Sequence, residues 1–518
     1  MVTRADSSLI RDRRVKCDEG HPICLRCRRN DRECVRDTDS LLALHRPRNR
    51  KSEDPSGSQG AFTTDDGTSA AELEYFIRNT LPYMRQSRSS PVWDHMIRLL
   101  RQNNPVIGKV AAAISHQQRA LEDEPPDDAS YASAAAYSAA IRAQSQSLSE
   151  FEGNDHAVHA ISCLLLIVLE SLRGSCANLE LHLKPCVYIL QDQRSQGQET
   201  AEILDQVALL IESYILSSVG FSPIAMHASR ARQLLQTIWA CRPHADEVVR
   251  IERSLVEEMV TTLDAWTTAA QSGHALPVCD PDVAAVKLRA TEVQEMALNE
   301  AAENYIEAAQ GDARSKAYCG FAVARSLLAI SLIRTLTGVP IPQAATLATY
   351  QRMVDVCEDS LAQLRIHESG CAADAPNAFS IGLGAIAVLY SVGTRCKDFC
   401  VRRRALLVLE TCPRREGIWT VEMARFRVVA VIKAEEERAS QRYPEGLPNN
   451  YLPEDCQVRH DEILEIDGKP VLRLFWRDRN SRSFTIEDIP VVPCQSICPF
   501  ELSSSSIDAF PDPAAPVL

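Results

Sequence analysis

The chain has 518 residues, 45% of them hydrophobic, which is room for a small module plus one or two large domains with a sizeable core. Its net charge of −13 argues against nucleic-acid binding by the protein as a whole, yet residues 1–51 hold 14 Lys+Arg against 8 Asp+Glu, net +6, leaving −19 for the rest. A basic head on an acidic body concentrates attraction for phosphate at one end. Eighteen cysteines would read as a disulfide framework in a small secreted chain. Here the opening MVTRADSSLIRDRR lacks the apolar core of a signal peptide. The longest apolar run, Ala157–Leu169, is broken by His159 and Ser162 and is too short to cross a bilayer. A soluble, intracellular protein with reduced thiols and no membrane partner is expected.

The first element in the chain is Arg11–Cys34, RDRRVKCDEGHPICLRCRRNDREC. Cys17, Cys24, Cys27 and Cys34 stand at spacings x6, x2 and x6 among eight basic and five acidic residues. Thiolates this close in a reduced protein suit zinc, which takes four sulfur or nitrogen ligands in a tetrahedron. A metal-stapled cation has the profile of a small DNA-binding module; the plainer alternative is a CxxC with no metal. Residues 37–71, a basic patch followed by a Gly/Ser/Asp/Pro tract, read as a disordered linker. Arg46, Arg48, Arg50 and Lys51 within it read as a nuclear-import signal or a phosphate-contacting arm, and equally as a solvated charge run. No heptad follows the cysteines, so no coiled coil is expected there.

From about Glu72 the pattern is helical. Helices are predicted at Ala71–Leu81, Pro91–Leu100, Ala129–Phe151, Ala157–Leu172, Asn178–Gln191, Ala201–Val219 and Ala228–Ala240. Further ones are predicted at Ala245–Ala270, Ala284–Ala309, Ala313–Leu336, Gln343–Ile366, Ser380–Gly393, Asp398–Thr411 and Ile418–Ala439. Trp93 is a core candidate, Ala157–Leu172 is apolar on most of its circumference, and Gly174 is a stop for it. Pro185 should kink or split its helix. One segment departs from this: Leu464 and Ile466 before Asp467-Gly468, and Leu472, Leu474 and Trp476 after it, predict a β-hairpin, with Ser483–Val491 as a third strand. The tail 499–518 reads as disordered.

No enzyme signature survives weighing. Gly382-Leu383-Gly384-Ala385-Ile386-Ala387 fits G-x-G-x-x-A, but no acidic residue follows about twenty positions on and no βαβ alternation surrounds it. Cys494-x3-Cys498 has no partner histidine, and there is no P-loop, HExxH or GxSxG.

Two resemblances follow from these residues. Cys17, Cys24, Cys27 and Cys34, with Lys16-Cys17-Asp18, Pro22 and Arg13-Arg14, resemble the third to sixth cysteines and flanking pattern of the fungal Zn₂Cys₆ transcription factors. The first two cysteines of that pattern fall at Ser7 and Ile10. The family's cluster holds two zinc ions on six thiolates; with four, neither metal of that pair keeps four ligands, and one or no zinc is the expectation for this chain. A start encoded elsewhere, a degenerate finger and a one-zinc variant are the readings open for that departure. Residues 72–440 resemble the fungal-specific transcription-factor regulatory domain. The resemblance is carried by Trp93…Asn104-Pro105, Tyr137-Ser138-Ala139-Ala140-Ile141, Leu169–Gly174 with His182, Cys396-Lys397-Asp398, Arg402–Ala405 and Pro413–Trp419.

The resemblances imply a mainly α protein: a zinc-cluster module at 7–36, the linker 37–71, an all-helical regulatory domain at 72–440, a β-hairpin extension at 455–492 and the tail 499–518. They imply a nuclear, non-enzymatic, zinc-dependent, sequence-specific DNA-binding regulator of RNA polymerase II genes. Cys17, Cys24, Cys27 and Cys34 would hold metal, and Arg11, Arg13, Arg14, Lys16, Arg26, Arg28 and Arg29 would contact double-stranded DNA. Transcription machinery or co-regulators, and a homodimer through the helical domain, are the protein partners implied. The alternative is a helical interaction protein that has lost DNA binding through its truncated finger.

Overall fold

The computed structural model describes residues 70–491 except 85–90, 123–126, 150–155, 175, 192–196, 220–227, 242–245, 272–280, 309–311, 338–342, 368–378, 382–383, 413–414, 418, 448–450, 467–468 and 478–483. The cysteine-rich segment, the linker up to residue 69, and the tail with Cys494 and Cys498 lie outside the described residues.

The chain opens with α1 (Ala70–Tyr75), a π-helical turn at Phe76–Thr80 and α2 (Leu81–Met84). It continues through α3 (Pro91–Arg101), α4 (Pro105–Glu122), α5 (Asp127–Ser149), α6 (His156–Arg173), α7 (Cys176–Gln191), α8 (Gln198–Val219) and α9 (Ala228–Cys241). Next come α10 (Glu247–Gln271), α11 (Pro281–Ala308), α12 (Ala313–Thr337) and α13 (Gln343–His367). The last part is β1 (Phe379–Ser380), α14 (Ala385–Arg395), α15 (Phe399–Leu409), β2 (Arg415–Glu416), β3 (Trp419–Thr420), α16 (Val421–Arg442), β4 (Val458–Ile466), β5 (Lys469–Arg477) and β6 (Phe484–Pro490).

Two helices are central. α6 is buried along nearly its whole length and packs on α4, α7 and α8; α12 packs on α10, α11, α13 and α14. Both are long and apolar enough to cross a bilayer, but 89% and 72% of their apolar windows are buried inside the fold. Each fully buried Leu or Ile there contributes about 1.5–3 kcal/mol, so the two helices anchor one continuous core running from Leu73 to Ile432.

Local chemistry sets the helix ends. Asn103 takes a left-handed conformation (φ 55°) where α3 stops. Asn104 then caps α4, its Oδ1 accepting from Val106 N at 3.2 Å and Ile107 N at 3.1 Å, and Pro105 occupies the first helical position, where no amide is needed. This helix, absent from the elements predicted above, follows the Asn-Asn-Pro stop and start. α6 ends at Gly174 (φ 72°), as expected. α7 runs unbroken through Pro185, so the proline does not split it. Asp398 caps α15 through Val401 N (2.9 Å), and Thr420 caps α16 through Met423 N (3.1 Å).

The ends of two predicted helices are corrected. Ser380 belongs to β1 and Trp419-Thr420 to β3, and with β2 they form a small three-stranded sheet, β1 parallel and β3 antiparallel to β2. The predicted hairpin is β4–β5, with β6 added antiparallel on β5. Leu472, Leu474 and Trp476 are buried against Val431 and Ala434 of α16. On β4 the register differs from the apolar alternation: Ile463 and Asp461 pair with Leu472 and Leu474, whereas Leu464 and Ile466 pair with Val471 and Lys469. A register shift between Val458 and His460 accompanies this.

Candidate nucleic-acid interface

The predicted metal ligands Cys17, Cys24, Cys27 and Cys34, and the predicted DNA contacts Arg11, Arg13, Arg14, Lys16, Arg26, Arg28 and Arg29, all lie outside the described residues. What the described body contributes is a test of rival sites. Among the described residues no group of three or more His, Cys, Asp or Glu could hold a metal ion. Seven of the eight free cysteines described are buried. Burial pushes the thiols of Cys163 and Cys319 up to about 12 and that of Cys396 to about 11, so they stay protonated and are poor ligands. Four thiolates satisfy one tetrahedral zinc; two zinc ions sharing six thiolates do not fit the four cysteines present.

The basic runs of the body face inward or pair with acids. Arg402 is buried; it pairs with buried Glu435 of α16, and its Nε donates to Gly393 O at 3.0 Å. Glu435 Oε1 also accepts from Val458 N at 2.7 Å, so one carboxylate joins α15, α16 and the start of β4. Burial pushes Glu435 up to about 7 against the opposing pull of Arg402. Arg403 pairs with Glu436, and Arg404 with Asp355 and Glu358, all on the surface. Arg415 reaches Leu172 O at 3.5 Å. These arginines are structural, and a phosphate surface is not what they form.

The G-x-G-x-x-A stretch is resolved by its occupant. Gly384 (φ 83°) caps α14, and a Cβ there would lie 2.6 Å from Arg325 Cδ. The first-turn amides of α14, where a dinucleotide phosphate would sit, instead hold Glu416: its Oε2 accepts from Ile386 N at 2.9 Å, and the Gly384 and Ala385 amides also bond it. Burial pushes Glu416 up to about 7, with those amides and Arg325 opposing. Arg325 is itself clamped by Glu252, Nε to Oε1 at 2.6 Å and an Nη2 to Oε2 at 3.2 Å.

Two further clusters bind elements together. Arg427 of α16 donates to Asp461 Oδ2 (2.7 Å) and to the Asp461 carbonyl (3.0 Å), and Tyr390 Oη donates to Asp461 Oδ1 at 2.8 Å. The Arg427 guanidinium lies 4.7 Å from the Tyr390 ring centre and 5.7 Å from that of Trp419. Glu170, fully buried on α6, has His182 Nε2 at 3.6 Å, Arg173 Nε at 3.9 Å and Asn178 Nδ2 at 3.4 Å. Tyr137 hydrogen-bonds the same carboxylate, and burial pushes its hydroxyl up to about 12. His182 therefore belongs to a packed polar cluster. Asp461, Glu416 and the Arg325–Glu252 pair were missed by sequence reasoning, and the one available signal was a charge inside an otherwise apolar stretch.

The basic, thiol-rich head therefore stands as the nucleic-acid candidate of the sequence, ahead of a helical body whose described arginines are largely paired from within. Residues 11–42 match the fungal Zn(2)-Cys(6) binuclear cluster domain, the match beginning after positions 7 and 10. The chain is also 34% identical over 65 residues to the aspercryptin biosynthesis cluster-specific transcription regulator atnN of Emericella nidulans, a stretch covering 12% of this chain and 10% of that protein. No solved structure matches the chain. The cluster domain implies zinc and DNA binding, and its family is one of transcription factors, not enzymes.

Proposed function

We propose that this protein is a zinc-dependent, sequence-specific DNA-binding transcription regulator of RNA polymerase II genes, fungal in type and acting in the nucleus. The observation that carries the reading is the match of residues 11–42, which holds all four clustered cysteines and most of the basic head. Zinc supplies the staple that folds so small a module. A short helix beginning near Arg11 enters the major groove. Arg13 and Arg14 read guanine there, because a guanidinium fork bonds O6 and N7 together. Lys16, Arg26, Arg28 and Arg29 bind phosphate and set the register. The body at 72–440 receives the regulatory input and contacts co-regulators or the transcription machinery, and a second copy of the chain joins through it.

A second reading is favoured by one observation, Ser7 and Ile10 where the family has cysteine: a helical interaction protein without DNA binding. Titration of labelled duplex DNA with zinc-loaded and chelator-treated protein separates the two. The first reading expects binding that chelation abolishes and that weakens with salt at a log–log slope of about −3 to −4 for four phosphate contacts. Binding indifferent to chelation removes the metal from it.

A further inference from the structure

Residues 17–34 carry five side chains of zinc-binding type: Cys17, His21, Cys24, Cys27 and Cys34. All five lie outside the described residues. The matched binuclear cluster domain calls for two metal ions, but this chain has Ser7 and Ile10 where two of the six thiolates would stand. Even with two thiolates shared, each of two zinc ions would have only three sulfur ligands from the four cysteines present. Given to one zinc, the same four complete a closed tetrahedral shell. The spacing is symmetric about the central pair: Cys24 and Cys27 are separated by two residues, and a loop of six residues leads from each to an outer cysteine, Cys17 or Cys34. Loops so short close at a small entropic cost. One zinc with four thiolates carries two negative charges, and cations stand beside the ligands. Lys16 precedes Cys17, and Arg26 and Arg28 flank Cys27, against Asp18 and Glu33 beside the outer pair. Adjacent cations favour the thiolate over the thiol.

We propose that this chain binds a single zinc ion through Cys17, Cys24, Cys27 and Cys34, with His21 outside the shell. The departure from the two-metal pattern is a change of stoichiometry. The proposal deepens the zinc part of the proposed function and rests on that part, not on DNA binding. Cys17 takes the fourth place ahead of His21 for two reasons. Its thiolate brings a charge that neutral imidazole lacks, and its loop matches the one that ends at Cys34. Loading the site ionises all four thiols, so binding releases protons. With its thiols protonated, Arg11–Cys34 is +3 from eight basic and five acidic residues; with one zinc on four thiolates it becomes +1. The metal thus organises the basic head while removing two units of the charge that draws phosphate.

The test is titration of metal-free full-length protein with cobalt(II), then zinc, under inert atmosphere and without DNA. The visible bands of tetrahedral cobalt–thiolate should saturate at about one equivalent per chain, and about one equivalent of zinc should bleach them. Metal analysis should then give about one zinc per chain, with release of up to about four protons. Cys24→Ser/Cys27→Ser should abolish the bands, which excludes the other cysteines as their source. Cys17→Ser should weaken cobalt binding by more than the about 10–100-fold that losing an outer-shell partner costs. His21→Asn should leave affinity and stoichiometry unchanged. The helical body is the control, its circular dichroism being the same in every variant. Saturation at two equivalents, or no bands at any ratio, overturns the proposal. So do bands that survive Cys24→Ser/Cys27→Ser, and a shell indifferent to Cys17→Ser but lost with His21→Asn. The DNA-binding reading fails separately: one zinc on a protein that ignores duplex DNA sinks that reading alone, and two zinc ions on a protein that binds it sink this proposal alone.

Discussion

Glu416 sits against the first turn of α14, where burial raises it to about 7 from an ordinary 4.5. Between those values the folded chain holds a proton that the unfolded chain has released, so this contribution to stability is complete below about 4.5 and is lost as pH rises through 7. Glu435 behaves the same way over the same window. Each is worth on the order of 3 kcal/mol, so thermal melts should fall in midpoint from pH 5 to pH 8. Glu416→Gln keeps an acceptor for the Ile386 amide and removes the ionisation, so its melts should depend less steeply on pH; an unaltered slope would contradict the assignment. Gly384→Ala meets both a positive φ and the Arg325 stem, and should cost about 1–3 kcal/mol by chemical denaturation. Single residues of this kind were legible only where the chemistry is local. Asp398 stands where its helix was expected to begin and caps it three residues on, whereas the equally local Asn104-Pro105 start went unread and Glu416 bonds an amide 30 positions back.

At the scale of elements, periodicity found what is long. The apolar circumference of α6 and the alternation Leu472, Leu474, Trp476 both predicted their burial. It failed for β1, β2 and β3, since strands of two residues carry no period. It also misjudged β4, because the inward face there includes Asp461, a polar residue whose partners Arg427 and Tyr390 lie on helices. The C-terminal sheet has its own apolar cluster with α16, built around Trp476, whose ring is covered by the Arg438 guanidinium at 4.4 Å. Trp476→Ala should cost about 3–5 kcal/mol. Hydrogen exchange should rise in β4, β5, β6 and the adjoining turn of α16 while α6 and α12 keep their protection. Loss of protection in α6 and α12 to the same degree would mean that the sheet is not a separable unit.

For the whole molecule, charge is the organising quantity. The acidic body, −19 without residues 1–51, repels a phosphate backbone in general, so attraction must come from the +6 head. That head was legible because cysteine spacing and basic flanks state their chemistry within 24 residues, and the match at 11–42 covers the same stretch. The body's role was not legible in the same way: the run Arg402–Arg404 folds into ion pairs with Glu435, Glu436, Asp355 and Glu358.

The central claim is that Arg13 and Arg14 read a DNA sequence from a zinc-held module. Selection from a pool of randomised duplexes with zinc-loaded full-length protein, run beside Arg13→Ala/Arg14→Ala, tests it most directly. The result expected is enrichment of a short guanine-containing motif by wild type and its loss in the variant, with residual salt-sensitive binding to any duplex. No enrichment by wild type, or the same motif enriched by both proteins, would contradict the claim and leave the helical interaction protein as the better description.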